Sequence, residues 1–498
     1  MNKNKFYITT PIYYVNDKPH IGHAYTTIVA DVLVRYNRML GKDVFFLTGT
    51  DEHGAKVAEA SEKASKEPKE FCDEMSAKFK MTWDSLDISY NKFIRTTDKE
   101  HEKAVEKFFL ILKEKGAIYE GKYSGLYCVA CEKFITEKEL VDGQCPDHKK
   151  EPEKISEKNY FFKLKDYLEK VKDLIEADKI KIEPEQIKKE VLGLFKQNLE
   201  DFSVSRESVK WGIKLPFDKS QVFYVWVEAL QNYISAIGYE NDQEKFDQYW
   251  PADLHLMAKD IIKFHAIYWS AMLLAADLPL PKTIFAHGFF TIDGQKMSKT
   301  IGNVIDPNDL VKKYGADATR YLILSQFPFG QDGDIKAEKF DEQYNTDLAN
   351  GIGNLVSRIL KLAQSIENSK AKIDEKIKEK TLNIWQEYEE AMNNFKIDKS
   401  LDSVKSLVDF GNKYIDEEKP WKLKKTDQDK FSSLMISFLE MIRQMAFMIQ
   451  PFMPNISDRI VEQIGCSDDK KLPFKKIKGW KKIDIEKIKE GMILFPRI

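Results

Sequence analysis

The chain has 498 residues, which suggests two to four domains, and its 43% hydrophobic content is enough for a buried core. A formal net charge of -2 excludes a globally basic nucleic-acid binder, so any RNA contact must use a local basic surface. Met1 to Thr10 holds no signal-like apolar stretch, no apolar run reaches the roughly 20 residues of a membrane span, and only five cysteines occur, so a cytoplasmic protein without a disulfide scaffold is expected.

Residues 5 to 50 predict strand, helix and strand. Phe6 to Ile8 and Ile12 to Val15 are β-rich, and Asn16 to Pro19 break the run. Ile28, Val32, Tyr36 and Leu40 then repeat every four residues, and Gly41 is placed to end that helix. Val44 to Leu47 is an uninterrupted apolar strand, so this is a βαβ unit and the sheet is parallel. From 115 to 221 short strand-like pieces and Lys/Glu-rich helices suggest an insertion. Apolar α/β character returns over 222–290, a loop-containing region covers 291–349, and 350–498 is almost all helical. The expected fold is α/β: a Rossmann-type parallel sheet in two halves, 1–114 and 222–290, followed by an all-α bundle. Met435, Met441, Met445, Met448 and Met453 read as adaptable core packing. Lys475, Lys476, Lys478, Lys481 and Lys482 make the most basic local segment.

Two short motifs carry phosphate chemistry. His20-Ile21-Gly22-His23 sits at a predicted helix start, where backbone N–H groups and the helix dipole favour anions. Gly22 would let a flat base lie against the backbone, and the two imidazoles can donate to phosphate oxygens; a plain capping turn is the alternative. Lys296-Met297-Ser298-Lys299-Thr300 lies between Gly294 and Gly302, and its two ammonium groups can clamp a leaving pyrophosphate. In this order the two motifs resemble the paired fingerprints of class I aminoacyl-tRNA synthetases, with Thr300 where Ser is usual.

Cys128-x-x-Cys131 and Cys145-x-x-His148 are separated by 13 residues. Three thiolates and one imidazole in two knuckles suit one Zn²⁺ in a closed structural site, the alternative being two unrelated redox pairs. Cys72 and Cys466 are isolated and read as ordinary thiols. A knuckle inserted in the catalytic half is similar to the connective peptide of the methionine-specific class I synthetases. The runs TTPIYYVNDKPH (Thr9 to His20), LTGTDEHG (Leu47 to Gly54) and FGQDGD (Phe329 to Asp334) resemble the same family, and the similarity extends over nearly the whole chain.

Asp51 lies just past a parallel strand, where such sheets bind ligands, with a solvated loop acid as the alternative; the resemblance implies that its carboxylate pairs with the substrate ammonium. Trp226, Ala229, Leu230 and Tyr233 share one predicted helix face, as do Ile261, His265 and Trp269. Pattern alone makes both stripes core. The resemblance makes them walls of a methionine pocket together with Ile12, Tyr14 and Phe264, with Tyr14 O–H and His265 N–H on the thioether. It also implies that Asp260 holds the ATP ribose, although Ala258 replaces the family's Gly, and that His20, Gly22, His23, Lys296, Ser298, Lys299 and Thr300 bind ATP. Of these, His20, His23, Lys296 and Lys299 would be catalytic.

In the helical region Asn354 and Arg358 are four apart on one face, and Trp421 can stack on an unpaired base; pattern alone makes all three ordinary surface residues. The resemblance makes them readers of an anticodon, and makes 291–349 a tRNA stem-contact region and 350–498 the anticodon-binding domain. The implied activity is methionine–tRNA ligation, with ATP, Mg²⁺ and one structural Zn²⁺. The implied partners are methionine and tRNA(Met), initiator and elongator. No membrane partner is expected. The family's optional C-terminal domain has no room here, so a monomer is expected. The competing readings are another class I synthetase and a non-catalytic zinc-containing RNA-binding protein.

Overall fold

The computed structural model describes residues 4–129, 132–135, 137–146, 149–295, 297, 302–367 and 371–498. The chain forms two compact units. One comprises Met1–Pro19, Asp43–Asp84 and Tyr90–His287; the other comprises His20–Lys42, Ser85–Ser89 and Gly288–Ile498.

The first unit is built on a six-stranded parallel sheet. Its spatial order is Lys92–Arg95, Asp43–Asp51, Lys5–Tyr14, Leu254–Ala258, Thr283–His287 and Lys181–Glu183. The central strands are apolar runs buried on both faces, as a covered parallel sheet requires. The α/β parallel-sheet expectation is met. One part of it is corrected: Lys181–Glu183, expected inside the 115–221 insertion, is an edge strand of the main sheet and pairs with Thr283–Phe285. With three residues and only Ile182 buried, it carries too little periodicity to be read from sequence.

Beside this sheet the first unit holds a four-stranded sheet ordered Lys133–Ile135, Ile118–Cys128, Glu153–Phe162 and Phe202–Ser203. Arg206, from strand Ser205–Arg206 of a separate three-stranded sheet, makes two hydrogen bonds to Glu157 of this sheet, at 3.0 and 3.1 Å, and its guanidinium lies 4.0 Å over the Tyr127 ring.

The second unit contains helix Ile21–Met39, which ends before Gly41 in a left-handed conformation (φ 80°), as the spacing predicts. Its remaining helices include Asn354–Ala363, Glu375–Asn393, Ile397–Glu418 and Gln428–Ile449. Among the described residues Gln428–Ile449 is the one helix long and apolar enough to cross a membrane, but it packs against Asn354–Ala363, Glu375–Asn393, Ile397–Glu418, Pro420–Thr426 and Pro454–Gln463, and 94% of its apolar stretch is buried. Met435, Met441, Met445, Met448 and Met453 are fully buried and fill that core.

Candidate functional site

In the first unit the carboxyl ends of two adjacent strands meet. Tyr14 stands directly opposite Asp51 in the parallel register. The register shifts between Thr9 and Ile12, a stretch containing Pro11, which has no N–H for the ladder. Asp51 is 4% exposed, and its Oδ1 has no hydrogen-bond partner; the same holds for the Tyr14 hydroxyl. Burial, with the nearby carboxylates Glu228, Glu132 and Glu52, holds the Asp51 carboxyl well above the usual carboxylate range. The His53 backbone N–H bonds this carboxylate, and what charge remains on it is neutralised by a proton or by a bound cation.

An aromatic wall stands next to it. The Tyr14 ring meets Trp226 edge-on at 6.3 Å, and Trp226 stacks on Phe264 at 4.2 Å. Ile12, Tyr14, Trp226 and Ile261 keep accessible surface, while Ala229, Leu230, Tyr233, Phe264 and His265 are buried. The helix predicted through Trp226 and Tyr233 is two short pieces, Val225–Ala229 and Asn232–Ser235. Trp269 is fully buried, its ring 6.1 Å from that of Phe108 and 6.2 Å from those of both Tyr233 and Trp250. Phe264–Trp269 winds as a π-helix, so the helix joining Ile261 to Trp269 is not the uniform one that the spacing predicts.

His265 donates from Nδ1 to the Ile261 carbonyl at 3.0 Å, because a carbonyl only accepts. The neutral ring then offers Nε2 as an acceptor, and the Tyr233 hydroxyl donates to it at 2.7 Å. The N–H expected to reach a thioether is therefore already engaged. Burial lowers the His265 pKa to about 4. Its folded value lies below the unfolded 6.5, so His265 costs folding stability as pH falls below about 6.5, where only the unfolded imidazole takes a proton. The ring itself stays neutral to about 4, and methionine affinity should show no His265 inflection between pH 7 and 5. Calorimetric titration across that range checks this; an inflection near 6.5 that disappears in His265→Gln would contradict it.

Behind Asp51 lie groups that no motif announced. The Glu52 carboxylate accepts from Arg95 Nε and Nη2 (2.7 and 2.8 Å), Thr97 and Thr50. The fully buried Glu228 accepts from His53 Nδ1 at 2.9 Å and His101 Nε2 at 3.0 Å. The one available sequence signal was a single acid inside the apolar run VWVEAL. Asp260 is exposed and lies just past the carboxyl end of strand Leu254–Ala258, where ligands meet parallel sheets.

In the second unit His20 caps helix Ile21–Met39. Gly22 N–H donates to His20 Nδ1 at 3.1 Å, and His20 N–H donates to His23 Nδ1 at 3.3 Å. The capping turn is thus real, and it places the N–H of each neutral ring on Nε2. The rings stack at 3.8 Å, and burial and His20 hold the His23 pKa well below its ordinary value. A Cβ on Gly22 would sit 2.9 Å from the His20 ring and 3.4 Å from Met297 Cε, so glycine is required where the first motif meets the middle of the second. Lys296, Ser298, Lys299 and Thr300 lie outside the described residues. The turn leading to them is pinned by Asp334, whose Oδ1 accepts from Thr291 Oγ1 (2.6 Å) and Gly294 N–H (2.8 Å); Lys336, Thr291 and Gly294 hold that carboxyl down to about 2.

Cys128 and Cys145 are buried in one small cluster with Ile135. The chain folds tightly at both: Glu132 N–H donates to Val129 O at 3.2 Å, and Lys149 N–H to Cys145 O at 2.8 Å. Two thiols brought together on knuckle turns suit a zinc ion; Cys131 and His148 lie outside the described residues. Cys72 is a buried thiol pushed up to about 12 by burial and Glu52, and Cys466 is likewise buried and raised.

In the helical part of the second unit, Asn354 bonds Asn412 at 3.3 Å, and Arg358 pairs with Asp416 one turn further along both helices. Trp421 is 42% exposed and follows Lys419, which turns the chain in a left-handed conformation (φ 49°) ahead of Pro420.

Comparisons with known proteins agree with this arrangement. Residues 6–360 match the family model for class I (M) tRNA synthetases, and 366–491 match that for the anticodon-binding domain of methionyl-tRNA ligase. The chain is 45% identical to the methionine–tRNA ligase of Caldanaerobacter subterraneus, covering 100% of this chain and 79% of that protein. It is 42% identical to that of Rickettsia felis, covering 99% of each. It is also similar to the Mycobacterium tuberculosis methionyl-tRNA synthetase solved with methionyl-adenylate, with a TM-score of 0.94 and 36% identity over 99% of this chain and 100% of that one. The chain belongs to the methionyl-tRNA synthetase family, class I ligases that activate methionine and join it to tRNA.

Proposed function

We propose that Asp51 binds the methionine ammonium and that Ile12, Tyr14, Trp226, Ala229, Leu230, Tyr233, Ile261, Phe264, His265 and Trp269 surround its side chain. The observation carrying this reading is the buried Asp51 Oδ1 with no partner, set opposite a Tyr14 hydroxyl in the same state. The methionine carboxylate then attacks the α-phosphorus of ATP in line, methionyl-adenylate forms and pyrophosphate leaves. A carboxylate nucleophile needs no general base, so positioning and charge stabilisation supply the acceleration. His20 and His23 donate from Nε2 to the α-phosphate region, Gly22 lies under the base, and Asp260 holds the ribose. Lys296 and Lys299, with Ser298 and Thr300, hold the departing phosphates, where a bound Mg²⁺ would supply further charge neutralisation. The 2′-hydroxyl of the terminal adenosine of tRNA then attacks the carbonyl carbon of methionyl-adenylate; the ester forms, the acyl–phosphate bond breaks, and AMP leaves while the hydroxyl proton passes to its phosphate.

The test is amino-acid-dependent ATP–pyrophosphate exchange with methionine, cysteine and the aliphatic amino acids in turn. Exchange driven by methionine alone is expected; exchange independent of methionine would overturn the reading. Asn354, Arg358 and Trp421 are assigned to the CAU anticodon of initiator and elongator tRNA(Met). Stacking contributes about 1–3 kcal/mol per base, so Trp421→Ala should lower kcat/KM for tRNA by about tenfold or more and leave exchange intact. Unchanged charging would remove the anticodon assignment.

Cys128, Cys131, Cys145 and His148 would hold one Zn²⁺, which ties the two knuckles together. Metal analysis of the purified protein should find about one zinc per chain, and Cys145→Ser should lose it. Retention of full metal content by Cys145→Ser would exclude this ligand set.

A further inference from the structure

Glu132 comes from the knuckle segment, yet its carboxylate is buried beside the amino-acid site. It is 1% exposed and takes a left-handed conformation (φ 51°) that turns the chain back. Oε1 accepts the Lys56 backbone N–H at 2.9 Å, at the start of helix Ala55–Lys63, four residues beyond Asp51. The fit is close enough to forbid a side chain at Gly54, whose Cβ would lie 2.4 Å from Oε1, at a φ of 101° that already favours glycine. The main-chain carbonyl of Glu132 accepts the Tyr224 hydroxyl at 2.6 Å, and Tyr224 is the residue that begins the helix carrying Trp226. The Tyr14 hydroxyl and the Glu132 carboxylate are close enough to shift each other's protonation by charge and hydrogen bonding, yet neither the hydroxyl nor Oε2 has a partner at strict hydrogen-bond geometry, and both atoms are buried. One residue therefore touches three walls of the site, namely the strand of Tyr14, the turn after Asp51 and the start of the Trp226 helix.

We propose that Glu132 is a positioning residue for amino-acid binding: it sets the Tyr14 hydroxyl and the Asp51 turn, and so couples the knuckle segment to methionine affinity. When the ligand fills the site, a small rotation of Tyr14 completes the Tyr14–Glu132 hydrogen bond, and the ammonium of the amino acid adds positive charge between the Glu132 and Asp51 carboxylates. The inference rests on the placement of Tyr14 in the methionine pocket proposed above.

The experiment measures methionine Kd by tryptophan fluorescence, and KM and kcat by pyrophosphate exchange, for Glu132→Ala, Glu132→Gln, Tyr14→Phe and the Glu132→Ala/Tyr14→Phe double variant. Removing one charged hydrogen-bond partner is expected to raise the methionine Kd about tenfold in Glu132→Ala, with kcat and the KM for ATP moving far less. Glu132→Gln, whose amide oxygen still accepts from Lys56 and whose NH₂ can still bond Tyr14, should recover most of that loss. The double variant should bind no more weakly than the worse single one, because both act through one contact. If Glu132→Ala fails to fold, Glu132→Asp, which withdraws the carboxylate by one methylene, should show the same tenfold loss. An unchanged Kd in Glu132→Ala, or additive losses in the double variant, would overturn the role of Glu132 while Tyr14→Phe still weakened binding. An unchanged Kd in Tyr14→Phe would overturn the pocket assignment itself.

Discussion

Asp51→Ala is expected to lower methionine-dependent pyrophosphate exchange by about 100-fold or more, through the affinity for methionine. A buried charge pair that loses one partner costs about 3–5 kcal/mol, and each 1.4 kcal/mol is tenfold in binding. In the function proposed above the pair forms with the substrate ammonium, since Asp51 Oδ1 has no hydrogen-bond partner within the protein. The same fact predicts the sign of the stability change. The folded carboxyl is held above the unfolded value of 3.8, so the folded protein binds the proton more tightly and stability falls as pH rises through that window. Asp51→Asn removes this cost, and the ligand-free protein should melt no lower than the parent at pH 7. Steady-state kinetics with thermal unfolding checks both halves. A variant that loses activity and stability together would make Asp51 a structural acid.

The second large effect is on stability. Arg320 is fully buried in the second unit, where Nη1 pairs with Asp31 Oδ2 at 2.7 Å and donates to Leu86 O at 3.1 Å. Nε and Nη2 donate to the carbonyls of Phe452 and Pro451, both at 2.8 Å. Arg320→Ala would leave three carbonyls with fewer donors and Asp31 relying on Arg35 and Ser89 alone. The expected loss is about 3–5 kcal/mol of unfolding free energy, read by urea denaturation. Burial would raise the Asp31 pKa, but Arg320, Arg35 and Ser89 hold it below 3.8. Its contribution is therefore complete above that value and disappears as pH falls through the lower folded one, so Arg320→Ala should cost less in strong acid than at pH 7. A change under 1 kcal/mol at neutral pH would show that the fork is dispensable.

The contrast between Ile21–Met39 and Lys181–Glu183 shows what was legible. The helix announced itself through four apolar residues at a spacing of four and a glycine beyond its end. The edge strand has one buried residue, and nothing short of its partner Thr283–Phe285 identifies it. The stripe through Ile261, His265 and Trp269 assumed a uniform helix, and the π-helix over Phe264–Trp269 is not readable from that spacing. His20 and Gly22 were legible as a motif, but only the coordinates show that the two histidines cap the helix reciprocally and so carry their N–H groups on Nε2.

By itself the sequence determined whatever lies within a few residues of one point in the chain: the strand and helix periods, the His20–His23 and Lys296–Thr300 motifs, the cysteine spacing and, through these, the family. Tertiary structure alone decided which distant polar groups meet. Glu132 reaches Lys56 across 76 positions, and Glu228 reaches His101 across 127 and His53 across 175. No repeat along the chain encodes such pairs, because a buried carboxylate is placed by the walls that close around it, and those walls exist only once the elements have packed.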